Sequence, residues 1–112
     1  MFVELKLFEG IKTADGNTKT AYIDAGIYKG GLFFLKSSAV SGTDPTLDVD
    51  IITYDEETDD WYILDSFDRQ DTSGNKQQLP IPDIGKRIAI QYKIDGTDPS
   101  FTFKVSTILK DR

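Results

Sequence analysis

The sequence predicts an all-β protein, an antiparallel two-sheet β-sandwich of the jelly-roll type, and three observations support this prediction. Apolar and polar residues alternate along most of the chain, a period that places one face of a strand in a core and the other in solvent. Turn signals rich in Gly, Asn and Asp separate these runs at short intervals. No window keeps apolar residues at helical spacing over two turns. An immunoglobulin-like sandwich is the alternative topology.

Length and composition indicate one domain without a reactive centre. The chain has 112 residues, which suits a single domain spanning 1–112. Its net charge of −6 disfavours a nucleic-acid or anionic-membrane partner, because such surfaces need clustered Lys and Arg. The sequence contains neither cysteine nor histidine, so disulfides, the usual zinc ligands and a Ser-His-Asp triad are excluded. We expect no enzymatic activity and no cofactor.

The sequence pattern does not match a signal peptide or a transmembrane helix. The first residues alternate polar and apolar, unlike the apolar run of a signal peptide. No stretch approaches the length of about eighteen apolar residues that a transmembrane helix requires. We therefore expect synthesis in a cytoplasm.

The alternation defines eight predicted strands and a predicted core. In the clearest run, Ile88, Ile90 and Tyr92 alternate with Ala89 and Gln91. The predicted strands are 2–8, 20–28, 31–40, 46–54, 60–67, 76–79, 86–94 and 100–109. The apolar positions that share one phase, and that we expect to lie inside, are Leu47, Val49, Ile88, Ile90, Tyr92, Phe101 and Phe103.

Two runs are apolar on both faces, 32–35 and 61–64, and we expect a loop or a partner to cover their outer face. Prolines at positions 80 and 82 each remove a backbone N–H donor. The segment around them, formed by Leu79, Pro80, Ile81 and Pro82, is therefore predicted to be a sheet edge or a loop and not a central strand.

A G-T-D-P pattern occurs twice, at 42–45 and 96–99, each time before an alternating run. Gly permits a chain reversal, Asp holds turns, and Pro fixes φ and extends the residue before it. We interpret the two copies as similar corners at equivalent places in the two sheets; paired ligand-binding loops are the alternative. The corner residues are Gly42, Asp44, Pro45, Gly96, Asp98 and Pro99.

The densest charge feature is the acidic run 55–60. No glycine lies inside it and its spacing fits no calcium loop. Because it separates two apolar runs, it predicts the solvated tip of a hairpin. Asp48 and Asp50 share the outer face of one predicted strand, where we expect a water-facing pair and no metal site.

Three segments between residues 31 and 109 occur in an order that indicates a protein family more specifically than any single motif does. The first segment, 33–49, contains G-T-D-P-T-L-D-V; the second contains Asp59-Asp60-Trp61 followed by Phe67; the third, 87–105, ends in G-T-D-P-S-F-T-F-K-V. In this order they resemble small β-sandwich virion proteins of tailed bacteriophages, in which these two G-T-x-P strands and a hairpin ending in Trp recur. That family often has Asp-Gly before the tryptophan, so the turn type differs here.

The resemblance implies a head decoration or auxiliary protein, which binds the outside of an assembled capsid and reinforces it. The implied partner is the major capsid protein, and the implied location is the outer surface of the virion after synthesis in the host cytoplasm. Two alternatives stay open. One is a carbohydrate-binding module on the virion or tail, for which Trp61 and Tyr62 would stack on sugar; the other is a structural protein of the tail or connector.

Partner contacts are expected on irregular and edge segments, because these are free to fit another surface. Residues 1–30 match nothing in the family and are candidates for an arm or hairpin. The proline segment, Leu79, Pro80, Ile81 and Pro82, is a second candidate. Further candidates, as anchors against an acidic shell, are Lys19, Lys29 and Lys36; a solvated surface position is the alternative for each. We also expect a closed homo-oligomer such as a trimer, since symmetric oligomers match symmetric capsid sites.

Overall fold

The computed structural model describes residues 2–111, and the regular structure in this range is antiparallel β-sheet with one short 3₁₀ turn. The elements are β1 (Phe2–Lys12), β2 (Gly16–Asn17), the 3₁₀ turn (Lys19–Ala21), β3 (Ile23–Asp24), β4 (Tyr28–Asp55), β5 (Asp60–Ser66), β6 (Lys76–Ile81) and β7 (Arg87–Asp111). The prediction of an all-β antiparallel protein is confirmed. No helix within residues 2–111 has the length and apolar character needed to cross a bilayer.

All seven strands belong to a single sheet built around β4 and β7. These two long strands pair from Tyr28 opposite Asp111 to Thr53 opposite Ile88. In what we call the first half of the sheet, residues 28–41 and 100–111 of the long strands lie between β1 and β6. In the second half, residues 46–55 and 87–95 lie between β5 on one side and β2 and β3 on the other.

The single sheet does not confirm the predicted two-sheet topology. We expected two separate sheets in a jelly roll, or an immunoglobulin-like alternative. Instead, predicted strands 31–40 and 46–54 are both parts of β4, and 86–94 and 100–109 are both parts of β7. The G-T-D-P motifs bend the long strands without ending them, because the pairing of β4 with β7 resumes on both sides of the motifs.

The two halves pack their inner faces against each other. The ring of Tyr92, in the second half, lies 5.5 Å from that of Phe103, in the first half, measured between centroids. Phe8 of β1 lies 4.6 Å from Phe103 and 5.7 Å from Tyr92. The predicted core is confirmed, since each of these residues is buried: Leu47, Val49, Ile88, Ile90, Tyr92, Phe101 and Phe103.

The two G-T-D-P corners face each other across the sheet. Thr43 pairs directly with Thr97. Gly42 and Gly96 have φ values of 108° and 124°, which favour glycine. Both motif aspartates have φ of 50°, a left-handed conformation that Asp tolerates. The two copies of the motif are therefore the two strands of one shared corner, and not equivalent corners of two sheets.

The predicted strand 20–28 is wrong. The chain there forms the end of the 3₁₀ turn, the two-residue β3 and a further turn in which the Tyr28 N–H donates to the Ala25 carbonyl at 3.0 Å. It touches β7 only in short stretches, as where Ile23 pairs with Ile88. By contrast, the proline-containing segment is confirmed as a sheet edge, because β6 pairs with β4 alone and places Pro80 opposite Leu32.

Candidate functional site

The outer face of the first half carries a row of three lysines, which we call the lysine row. Lys36 lies directly opposite Lys104 on one side and Lys76 on the other. All three side chains are exposed. They share the outer face because the neighbours of Lys36 in the chain, Leu35 and Ser37, are buried on the inner face.

No ion pair within residues 2–111 includes a lysine of the lysine row. Glu9 lies opposite Lys104 and lines a shallow depression with Lys36 and Lys104, but its carboxylate forms its ion pair with Lys6, at 3.2 Å. Like charges directly opposite each other destabilise a sheet. The lysine row is therefore a local concentration of positive charge on a chain whose net charge is −6.

An apolar groove of about 850 Å³ lies on the same outer face, nearer the start of β4 and the end of β7. Leu32 and Ile108, which pair with each other, and Pro80 form its apolar wall. Phe2 stands at one side with 66% of its surface exposed. The remaining lining residues are Lys29, Gly30, Gly31, Ile81, Pro82, Lys110 and Asp111. We call the lysine row and the apolar groove together the docking face.

The acidic hairpin tip 55–60 has the opposite charge and lies at the far end of β4, in the second half of the sheet. The predicted hairpin is confirmed, since Asp55 pairs with Asp60. The Asp55 carboxylate accepts hydrogen bonds from the Thr58 hydroxyl at 2.8 Å and the Thr58 N–H at 3.2 Å, and these bonds lower the pKa of Asp55. Residues 2–111 contain no group of three acidic side chains arranged to hold a metal ion.

The outer face of the second half carries an aromatic cluster around Arg87. The guanidinium carbon of Arg87 lies 4.8 Å from the Tyr22 ring centroid and 5.0 Å from that of Tyr54. The Trp61 ring lies 5.4 Å from Tyr54 and 6.4 Å from Tyr22, and Lys19 approaches Trp61 to 6.0 Å. The protein's own cations thus occupy the neighbourhood of these rings, as expected for a structural cluster.

This geometry is unfavourable for the sugar-stacking alternative. Trp61 and Tyr62 are consecutive residues of β5 and pair with Tyr54 and Thr53 respectively, so their rings stand on opposite faces of the sheet. Tyr62 is 48% exposed, and its hydroxyl donates to the Thr58 hydroxyl at 2.8 Å. The two rings therefore form no coplanar platform.

The structure brings together some of the predicted contact residues and separates others. Lys29, Pro80, Ile81 and Pro82 line the apolar groove, and Lys36 lies at the centre of the lysine row. Leu79 lies opposite the buried Phe33 and packs against the core. Lys19 lies in the other half, beside Trp61.

Sequence reasoning missed Lys76, Lys104 and Ile108 as members of the docking face, whereas Phe2 belongs to the candidate segment 1–30. The outward phase of Lys104 can be deduced from its place between two apolar residues that share one phase. Its position beside Lys36 depends on the register between distant strands, for which the sequence has no local signal.

Comparisons with known proteins support the fold. No protein-family model matches the chain, and no curated protein sequence matches it. Among solved structures, the chain is similar to the crystal structure of SPBc2 prophage-derived protein YomS, with a TM-score of 0.50 and 10% identity over 96% of this chain and 93% of that one. The two proteins therefore share a fold over nearly their whole lengths.

A second similar structure is a family two carbohydrate esterase from Cellvibrio japonicus, with a TM-score of 0.39 and 11% identity. The match covers 98% of this chain but 34% of the esterase, so the chain spans about a third of that protein.

Proposed function

We propose that this protein is a bacteriophage virion structural protein, and specifically a capsid decoration protein that binds the outside of the assembled head and stabilises it. Two findings support a phage context: the ordered sequence resemblance to small virion proteins, and a fold shared with a prophage-derived protein. In this proposal the protein acts by binding and has no catalytic role. Its partner is the major capsid protein, and it binds from the outer surface of the shell.

The observation that carries the proposal is the lysine row. Three exposed lysines stand at directly opposite positions of neighbouring strands, in a chain that is acidic as a whole. An acidic protein surface would supply carboxylates to Lys36, Lys76 and Lys104, and so relieve any repulsion between these like charges. Modest contacts of this kind give high avidity when many copies occupy a regular lattice.

Co-sedimentation with heads purified without the protein tests the proposal. The wild-type chain is expected to sediment with heads at micromolar concentration and to raise the temperature at which the heads release their DNA. Binding should weaken as the salt concentration rises, because exposed charges are screened.

The Lys36→Glu variant distinguishes a loss of binding to heads from a loss of folding stability. It places a carboxylate between Lys76 and Lys104, so the free protein should become more stable, by about 0.5 kcal/mol, while binding to heads falls at least tenfold. The matched control is Lys86→Glu, which makes the same change in net charge at an exposed position immediately before β7. It should bind like the wild type.

Three outcomes would overturn the proposal. These are no sedimentation of the wild type with heads, binding that leaves head stability unchanged, and equal loss of binding in both variants. Specific sedimentation with isolated tails would instead favour the tail or connector alternative, and retention on immobilised glycans would favour the carbohydrate-binding one.

A further inference from the structure

We infer that the apolar groove and the lysine row form one continuous site for an extended segment of the shell protein, with an apolar residue and a group of carboxylates about four residues apart. This inference rests on the proposed function, because it describes how the capsid partner would be recognised. It adds a sequence pattern for the partner.

The spacing comes from β4, which runs under both parts of the site. Leu32 lies in the groove wall and Lys36 at the centre of the lysine row, both on the outer face of the same strand. Four residues of a strand cover about 13 Å. A partner segment in extended conformation, lying along β4, must span the same distance and therefore needs the same number of residues.

The surface between the groove and the row is continuous. Phe34 lies midway along β4 on the outer face, opposite Ser106 of β7 and Gln78 of β6. Its ring is partly buried and contributes to a shallow depression shared with Lys36 and Lys104. A bound segment could therefore lie against apolar surface and small polar groups from the groove to the lysines.

A polypeptide fits this surface better than other anionic ligands. Lys36, Lys76 and Lys104 lie outside the groove, whose own lining includes Lys29 and Lys110, so a small molecule held in the groove would not reach the lysine row. A nucleic acid carries charge along its whole length and would meet the carboxylates of Glu4 and Glu9 on the outer face of β1, whereas a peptide can confine its carboxylates to the lysine row. An extended protein segment satisfies both the apolar wall and the separate cations.

The test uses two peptides of identical composition and the full chain labelled with ¹⁵N. The first probe, acetyl-Phe-Gly-Ser-Gly-Asp-Glu-Asp-amide, has its acidic cluster four residues after phenylalanine. The control probe, acetyl-Phe-Asp-Glu-Asp-Gly-Ser-Gly-amide, has the cluster immediately after it. We expect the first peptide to shift the amide signals of Leu32, Ile108, Lys36 and Lys104 together, with an affinity at least threefold higher than that of the control.

Two variants test whether the surface that binds the first peptide is also the surface that binds heads. Ile108→Gln keeps the charge of the lysine row and alters the groove wall, and we expect at least a fivefold loss of binding to both the first peptide and heads. Tyr62→Gln changes an aromatic residue that is 48% exposed in the other half of the sheet, and should leave both unchanged. Thermal unfolding of both variants checks that each is folded.

The outcomes separate the inference from the proposed function. Equal affinity for the two peptides, signal shifts elsewhere in the sheet, or head binding that depends on Lys36 but not on Ile108 would overturn the inference and leave the decoration role standing. If the first peptide binds at the docking face while the wild type fails to sediment with heads, the decoration role is wrong but the recognition pattern holds.

Discussion

The shared corner makes Gly42→Ala the most informative single substitution in this protein. Gly42 has φ of 108°. A Cβ atom there would lie 2.6 Å from the Asp98 carbonyl oxygen, 2.8 Å from that of Thr97 and 2.9 Å from the Pro99 Cα. These three atoms belong to the backbone of the opposite strand, so none can move aside without opening the pairing of β4 with β7.

Two physical effects add to the expected loss. A side chain at positive φ costs about 1 to 2 kcal/mol. Forcing a methyl group into a closely packed position costs about 1 to 3 kcal/mol. We therefore expect Gly42→Ala to lower the free energy of unfolding by about 2 to 5 kcal/mol. For a domain of this size the melting temperature should fall by about 8 to 20 °C.

Gly74→Ala is the matched control. Gly74 also has positive φ, at 75°, but a Cβ atom there would have nothing within 4 Å. This variant carries the backbone strain without the steric clash, so it should cost about 1 to 2 kcal/mol. Urea denaturation of the wild type and both variants, analysed at constant m-value, gives the comparison. A difference of less than about 0.5 kcal/mol between the two variants would show that the close approach of the corner strands does not constrain position 42.

Three further predictions concern the core and the hairpin tip. Phe103→Ala should lower the free energy of unfolding by about 3 to 5 kcal/mol, because it removes a ring that is 2% exposed and packed on Phe8. At roughly 4 °C per kcal/mol, a melting temperature within about 3 °C of the wild type would contradict this prediction. Gln70 is fully buried, and its side-chain amide has no hydrogen-bond partner among the described residues. Gln70→Met should therefore raise the free energy of unfolding by about 1 to 3 kcal/mol, measured by thermal unfolding. A lower free energy of unfolding would refute this reasoning. The Thr58 hydroxyl donates a hydrogen bond to the Asp55 carboxylate and lowers the pKa of Asp55 in the folded state. This hydrogen bond therefore stabilises the protein above about pH 4, and its contribution is lost as the pH falls further. Thr58→Val should reduce the difference in the free energy of unfolding between about pH 7 and about pH 3, and an unchanged difference would contradict this prediction.

The inward phase of the strands could be predicted from the sequence, because it depends on a period of two and nothing else. Val49, Ile90 and Phe101 are buried for this reason. The continuity of β4 and β7 could not be predicted in the same way. Each G-T-D-P signal taken alone indicates the end of a strand. The pairing continues because the two signals lie opposite each other, so both strands bend at the same point.

The members of the candidate site could likewise be predicted only in part from the sequence. Lys36 could be selected as an exposed lysine of a strand that is apolar on both faces. Lys76 and Lys104 could not, because they join it through pairings between segments far apart in the chain. The sequence also predicts Lys19 as a candidate contact beside Lys29 and Lys36, but the chain turns at this position and places Lys19 beside Trp61, in the other half of the sheet.

The central position of β7 has a consequence for how the molecule reaches its native state. β7 follows all the other described strands in the chain, yet it separates β1 from β4 and is the pairing partner of β1, β2 and β3. During translation, β4 can form a local hairpin with β5, but β1 has no partner until the last strand has been made. Contacts such as Phe2 with Lys110 close nearly the whole chain, which slows folding relative to proteins with local contacts. Until then β1 and the long edge of β4 expose unpaired backbone, so assembly of the sheet must outpace aggregation in the cell.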